Sequence, residues 1–168
     1  MSQPDYFERL GLPRRFSLDV AEIDRQYLAR SRALHPDFHQ LGASSEQQAS
    51  MELTAQLNEA YATLRDPFRR AEYLLQLHGG PPPNASPEMP PEFLEEVLEL
   101  RMALAEAAED AERAEIERQL RERRDGMLRE IADDFDRLER DGDRSAILLS
   151  LRRRLNALKY IQNLLRRS

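Results

Sequence analysis

The chain contains no cysteine among its 168 residues. This absence excludes disulfide bonds, zinc sites made of thiolates, cysteine nucleophiles and iron–sulfur clusters held by the chain's own thiolates. Tryptophan is also absent and aromatic residues make up only 7% of the chain, whereas 33% of its residues are charged. This composition favours helices with solvated charged faces over β-sheets.

Basic domains and long apolar runs are missing as well. The net charge is −6 and both halves of the chain are mildly acidic, which argues against a general nucleic-acid binder. No apolar run approaches the roughly 20 residues that span a bilayer, and the first residues lack the basic and apolar segments of a signal peptide. We therefore expect a cytoplasmic protein that binds neither nucleic acid nor membranes.

Proline is concentrated in one place. Six of the ten prolines lie within residues 79–91. Because proline fixes φ and lacks an N–H donor, this stretch predicts a semi-rigid linker between two domains. The predicted bounds are 1–79 for the first domain, 80–91 for the linker and 92–168 for the second domain.

Apolar residues recur at helical spacing on both sides of this linker. Before it, the pattern and its capping residues predict four helices, at 4–10, 19–34, 46–64 and 66–77. After it, we predict a three-helix bundle with helices at about 88–107, 110–140 and 143–167; one long coiled-coil hairpin is the alternative. The leucine stripe of the last helix comprises Leu148, Leu151, Leu155, Leu158 and Leu165. The predicted fold class is all-α.

Catalytic and metal-binding patterns are nearly absent. His35, Asp37 and His39 have a spacing that could supply part of a metal site, but the third histidine, His78, is far along the chain. No nucleophile elbow, phosphate-binding glycine loop or zinc-protease motif is present. We expect no enzymatic activity, no metal and no cofactor.

The tripeptide His35-Pro36-Asp37 has a distinctive context. It follows an amphipathic helix that carries Tyr27, and a polar loop separates it from the next helix. This arrangement resembles the J-domain of DnaJ-type proteins, in which the second and third helices form an antiparallel pair. The bland alternative is a turn that only reverses the chain.

The J-domain resemblance implies that the tripeptide contacts an ATPase chaperone of the DnaK type. Pro36 stiffens the loop and lowers the cost of ordering it, while Asp37 can pair with a partner arginine. The resemblance also implies that Arg25, Arg30 and Arg32 complete the docking surface.

Runs outside the tripeptide narrow the family. They are Asp5-Tyr6-Phe7-Glu8-Arg9-Leu10-Gly11, Arg70-Ala71-Glu72-Tyr73-Leu74-Leu75 and Phe93-Leu94-Glu95-Glu96-Val97-Leu98-Glu99-Leu100-Arg101. Over nearly its whole length the chain resembles the iron–sulfur cluster co-chaperones of the HscB family. The resemblance implies an N-terminal J-domain that accelerates ATP hydrolysis by the chaperone HscA, and a C-terminal bundle that delivers the cluster scaffold IscU to it.

The family's scaffold-binding face falls on one side of the bundle. Aligned with it are Leu94, Glu95, Leu98, Glu99, Met102 and Tyr160. For the two leucines, core packing is an equally good interpretation of the sequence. Two alternatives for the chain as a whole stay open, namely a co-chaperone for a general DnaK-type chaperone with a different client, and a helical adaptor that engages no ATPase.

Overall fold

The computed structural model describes residues 2–34, 44–140 and 142–167, which form seven α-helices and no β-strand. The helices are α1 (Tyr6–Arg9), α2 (Val20–Ala33), α3 (Ser44–Arg65), α4 (Pro67–Leu77), α5 (Pro91–Glu106), α6 (Asp110–Arg140) and α7 (Arg144–Arg167). The predicted all-α fold class is confirmed. The chain divides into two compact units, Met1–Leu74 and Leu75–Ser168. The domain and linker bounds drawn from the sequence remain a proposal.

The predicted capping residues are found at the start of α2 and at both ends of α4, and Asp5 caps α1 as well. The side chains of Asp5 and Asp19 each accept a hydrogen bond from a backbone N–H in the first turn of α1 and α2. Asp66 accepts two such bonds at the start of α4, whose first residue is Pro67. At the other end of α4, Gly79 adopts φ +77°, a conformation that favours glycine.

The helices α2 and α3 form the predicted antiparallel hairpin. Near the start of α2, the Tyr61 hydroxyl of α3 donates to Asp24 at 2.8 Å, and the rings of Tyr27 and Tyr61 stack with centroids 3.9 Å apart. At the end of α2, the Ser50 hydroxyl near the start of α3 donates to the carbonyl of Leu34 at 3.5 Å. The start of α2 therefore contacts the end of α3, and the end of α2 contacts the start of α3, so the two helices are antiparallel.

The core of the first unit lies beneath this hairpin. Its buried apolar side chains come from all four helices and the α1–α2 loop: Phe7, Leu10, Leu12, Phe16, Ile23, Leu57, Ala60, Leu64, Ala71 and Leu74. The Tyr73 ring of α4 stacks on Tyr6 of α1 at 4.3 Å, and the Tyr73 hydroxyl accepts the Tyr6 N–H at 3.0 Å. These contacts hold the first and last helices of the unit, α1 and α4, against each other beside the core.

A charged residue is also buried in the first unit. Arg70 of α4 is only 4% exposed. Its guanidinium donates to the carbonyl of Leu64 and to the carbonyl of Phe16, each at 2.8 Å, and lies over the Phe16 ring. Burial lowers the pKa of Arg70, but a guanidinium stays protonated at neutral pH. Arg70 therefore joins α4, the end of α3 and the loop that precedes α2.

The second unit contains the predicted three-helix bundle, and α6 and α7 run antiparallel in it. Buried Asp134 of α6 accepts hydrogen bonds from the Ser150 hydroxyl of α7 at 3.0 Å and from Arg154. The leucine stripe of α7 is confirmed at its middle, where Leu151, Leu155 and Leu158 are buried. At its ends Leu148 and Leu165 are half-buried, and neighbouring residues are buried more fully in the core. Those neighbours are Ile147, Ile161 and Leu164.

Candidate functional site

The tripeptide His35-Pro36-Asp37 lies outside the described residues, in the stretch 35–43 that connects α2 to α3. His39 lies in the same stretch, so the metal interpretation of this sequence falls outside the described ranges too. Among the residues that the structure does describe, no group of three or more histidine or acidic side chains could hold a metal ion. No helix in those ranges is long and apolar enough to cross a membrane.

Two of the predicted docking arginines share the outer face of α2. Arg25 and Arg32 are both exposed and are seven residues, or about two helical turns, apart. The Arg25 Nε donates to Glu22 at 3.1 Å, an exposed pair that solvent screens. In the sequence, the tripeptide begins three residues after Arg32.

Arg30 is placed differently. It is half-buried, donates to Gln26, and extends its guanidinium over Gly11 in the loop after α1. Gly11 adopts φ +64°, and a Cβ at this position would overlap the guanidinium. The structure therefore does not bring Arg30 together with Arg25 and Arg32, and its role in docking stays a prediction.

Leu28 is a residue of this face that sequence reasoning missed. Its side chain is 52% exposed and lies three residues after Arg25 and four before Arg32. Residues at these spacings are neighbours on a helix surface. An apolar residue at an outward position of an amphipathic helix was the available signal, and the outer face of α2 is cationic with an apolar centre.

The position of α2 is also held by a charged residue, Asp24, which contacts α3. A hydrogen bond from the Tyr61 hydroxyl and the nearby Arg65 guanidinium hold the pKa of Asp24 below its usual value. The same bond raises the pKa of Tyr61. Asp24 is therefore ionised at neutral pH and keeps α2 bonded to α3 while the arginine face points away from the hairpin.

The apolar residues of α5 separate into a core side and an exposed side, and the predicted scaffold-binding residues are not on the core side. Phe93, Val97 and Leu104 are buried in the bundle. Leu98 is 46% exposed and Met102 is 62% exposed, and Leu94, one turn before Leu98, is half-buried. Leu94, Leu98 and Met102 follow one another at intervals of four, so they form an apolar stripe, which we call the α5 patch.

Charged and aromatic side chains border the α5 patch. Glu95 and Glu99 are exposed along one side of it. The hydroxyl of half-buried Tyr160, on α7, accepts a hydrogen bond from Arg101 Nη1 at 3.1 Å. Sequence reasoning did not select Arg101, although it precedes Met102 directly. The structure thus brings Tyr160 to α5, and its part in scaffold binding stays a prediction.

Two family models match the chain. The model described as a DnaJ domain matches residues 5–73, and the model described as an HSCB C-terminal oligomerisation domain matches residues 89–167. Together they cover the greater part of both units. The first match includes the tripeptide and α2, and the second includes the α5 patch and Tyr160.

Known proteins are similar over most of this length. A protein named co-chaperone protein HscB homolog from Bordetella pertussis is 36% identical over 140 residues, which are 80% of this chain and 82% of that protein. Its namesake from Chromobacterium violaceum is 33% identical over 134 residues, 79% of this chain and 74% of the other. The solved structure of chaperone HscB from Vibrio cholerae has a TM-score of 0.76 at 30% identity, over 98% of this chain and 94% of that one. The solved structure of human co-chaperone protein HscB has a TM-score of 0.83 at 28% identity, over 98% of this chain and 80% of that one.

Proposed function

Since this chain belongs to the HscB family of J-domain co-chaperones, we propose that it serves iron–sulfur cluster biogenesis by joining two partners. Its first unit engages the DnaK-type ATPase HscA through His35-Pro36-Asp37 and the outer face of α2. Its second unit binds the cluster scaffold IscU through the α5 patch. The ATP-hydrolysing machinery belongs to HscA, so the chain itself is not an enzyme and needs no cofactor. We place its action in the cytoplasm.

The observation that carries the scaffold half is the exposure of Leu98 and Met102 on a helix whose opposite side buries Phe93, Val97 and Leu104. Large apolar side chains that line up at an exposed helix face are typical of protein–protein contacts. The rim of Glu95 and Glu99 favours a scaffold surface that presents an apolar centre with basic groups beside it.

The outer face of α2 supports the ATPase half. Arg25 and Arg32 place positive charge on both sides of Leu28. Such a face fits an acidic partner surface with an apolar centre, and complementary charge accelerates encounter. A partner that binds this face and the adjoining tripeptide only in its hydrolysis-competent state would be shifted toward that state.

Replacing Leu98 and Met102 together by alanine should weaken IscU binding by about 100-fold, because two apolar contacts of roughly 1–2 kcal/mol each are lost. Alanine is a strong helix former and both positions are exposed, so the helicity of the bundle should not change. The binding is measured by titration calorimetry and the helicity by circular dichroism.

Leu149→Ala is the matched control, because Leu149 is an exposed leucine on another helix of the same unit. It should bind IscU like the unchanged chain. Wild-type affinity in the Leu98→Ala, Met102→Ala variant would show that the α5 patch is not the scaffold surface.

A further inference from the structure

The proline-rich segment before α5 is held on the surface of α7 by side chains. The amide Nδ2 of Asn156 donates to the carbonyl of Ser86 at 2.9 Å and to the carbonyl of Glu88 at 2.8 Å. Its Oδ1 accepts a hydrogen bond from Arg152 Nε at 3.1 Å. Both donors and the acceptor of this one amide are thus engaged, so its orientation is fixed.

A second contact holds the same point of the segment. The guanidinium of Arg153 donates to the Glu88 carboxylate through Nε at 3.1 Å and Nη2 at 2.7 Å. Glu88 is therefore bound through its backbone by Asn156 and through its side chain by Arg153. We call these bonds the Glu88 clamp. Proline at three of the flanking positions, Pro87, Pro90 and Pro91, reduces the entropy lost when the segment is ordered.

The clamp matters for α5 because this helix has no side-chain cap of its own. Its N-cap is Pro90, which has no side-chain donor or acceptor, and its first residue is Pro91. The first turn relies on the carbonyl of Pro90, which accepts the N–H groups of Phe93 and Leu94 at 3.1 and 3.2 Å. The start of α5 therefore depends on backbone that the clamp fixes two residues earlier.

Asn156 of the clamp and Tyr160, which borders the α5 patch, lie on the same helix. Asn156 and Tyr160 are four residues apart on α7, so they are neighbours on its surface. One turn of α7 thus holds the lead into α5 through Asn156, and the next holds the middle of α5 through the bond between Tyr160 and Arg101. These two points determine where the α5 patch lies relative to Tyr160.

We propose that Asn156 is a positioning residue for partner binding: by holding the carbonyls of Ser86 and Glu88, it sets the α5 patch in register with Tyr160. This inference rests on the proposed function, because Asn156 positions the same α5 patch that is proposed to bind IscU. The proline-rich segment is then a part of the docking device, although none of its residues belongs to the patch.

Asn156→Asp tests the proposal in the full-length chain, because aspartate has the shape of asparagine but turns the two donors into an acceptor. With two hydrogen bonds lost, the affinity for IscU should fall about ten-fold. Stimulation of HscA in the absence of IscU should stay unchanged. Hydrogen exchange should accelerate at the amides of Phe93 and Leu94 and stay unchanged in the middle of α6.

Gln162→Glu is the matched control, since it makes the same chemical change on α7 six residues away, and it should bind IscU normally. Charge reversal at the clamp gives a second route that leaves Asn156 intact. Glu88→Arg and Arg153→Glu should each weaken IscU binding about three-fold, and the double variant should recover it.

Wild-type affinity and wild-type exchange in Asn156→Asp, together with no effect of either charge reversal, would overturn the inference and leave the proposed function standing. Weaker binding with unchanged exchange at Phe93 and Leu94 would also overturn it, because Asn156 would then act by touching the partner. If the unchanged chain does not bind IscU, the proposed function fails and the inference fails with it.

Discussion

Replacing His35 by glutamine is expected to abolish the stimulation of HscA while IscU binding persists. The proposed function gives the chain no catalytic chemistry of its own, so it can accelerate hydrolysis only by binding the hydrolysis-competent state of its partner more tightly. Glutamine keeps hydrogen-bonding groups but places them differently from the imidazole nitrogens. Single-turnover ATP hydrolysis by HscA measures the effect, and stimulation should fall to the rate of HscA alone.

His39→Gln is the matched control, because it makes the same substitution four residues later in the same connection. It should retain most of the stimulation. Wild-type stimulation by the His35→Gln variant would contradict the role of the tripeptide, while a loss in both variants would point to the whole connection instead.

Arg70→Ala should raise the free energy of the folded first unit by about 3 kcal/mol relative to its unfolded state. This is the largest loss of stability that we expect from a single substitution of a charged residue. Two charge-assisted hydrogen bonds, to the carbonyls of Leu64 and Phe16, disappear and leave buried acceptors without these donors. The packing of the guanidinium on the Phe16 ring is lost as well. Arg70→Lys should recover only part of the loss, since an ammonium group cannot replace the forked guanidinium.

Urea unfolding followed by tyrosine fluorescence measures this loss, because all tyrosines except Tyr160 lie in the first unit. The control is Arg69→Ala, in which the neighbouring arginine loses an exposed ion pair with Glu59 at 3.2 Å and a hydrogen bond to the Thr63 hydroxyl at 3.3 Å, but no bond to a backbone carbonyl. Its cost should stay below about 1 kcal/mol. Equal effects of the two substitutions would show that the buried bonds of Arg70 do not stabilise the fold.

Local chemistry made most helix ends predictable. An aspartate accepts the backbone N–H groups of the helix turn that follows it, Pro67 begins α4, and Gly79 follows the end of α4. Each of these signals acts within a few residues, so a single sequence reveals them. The start of α5 was predicted at about 88 and lies at Pro91. The segment before it is held by Asn156, whose distance along the chain hides these bonds from any local pattern.

The candidate site was predictable to a different extent. Apolar residues repeated every four positions do not show which side of a helix faces the core. Leu94 and Leu98 could therefore be placed outside the core only because the structure buries Phe93 and Val97 instead. Arg30 was grouped with its neighbours by closeness in sequence, although it points to Gly11. The burial of Arg70 also escaped prediction, because arginine in a charged helix is usually solvated.

The most direct test of the proposed function is the ATPase rate of HscA with this chain, with IscU, and with both. We predict that the chain alone stimulates hydrolysis and that IscU and the chain together exceed the sum of their separate effects. A general DnaK-type chaperone, assayed in parallel, should respond less and gain nothing from IscU. An equal response of both ATPases without synergy, or no response from either, would contradict the account.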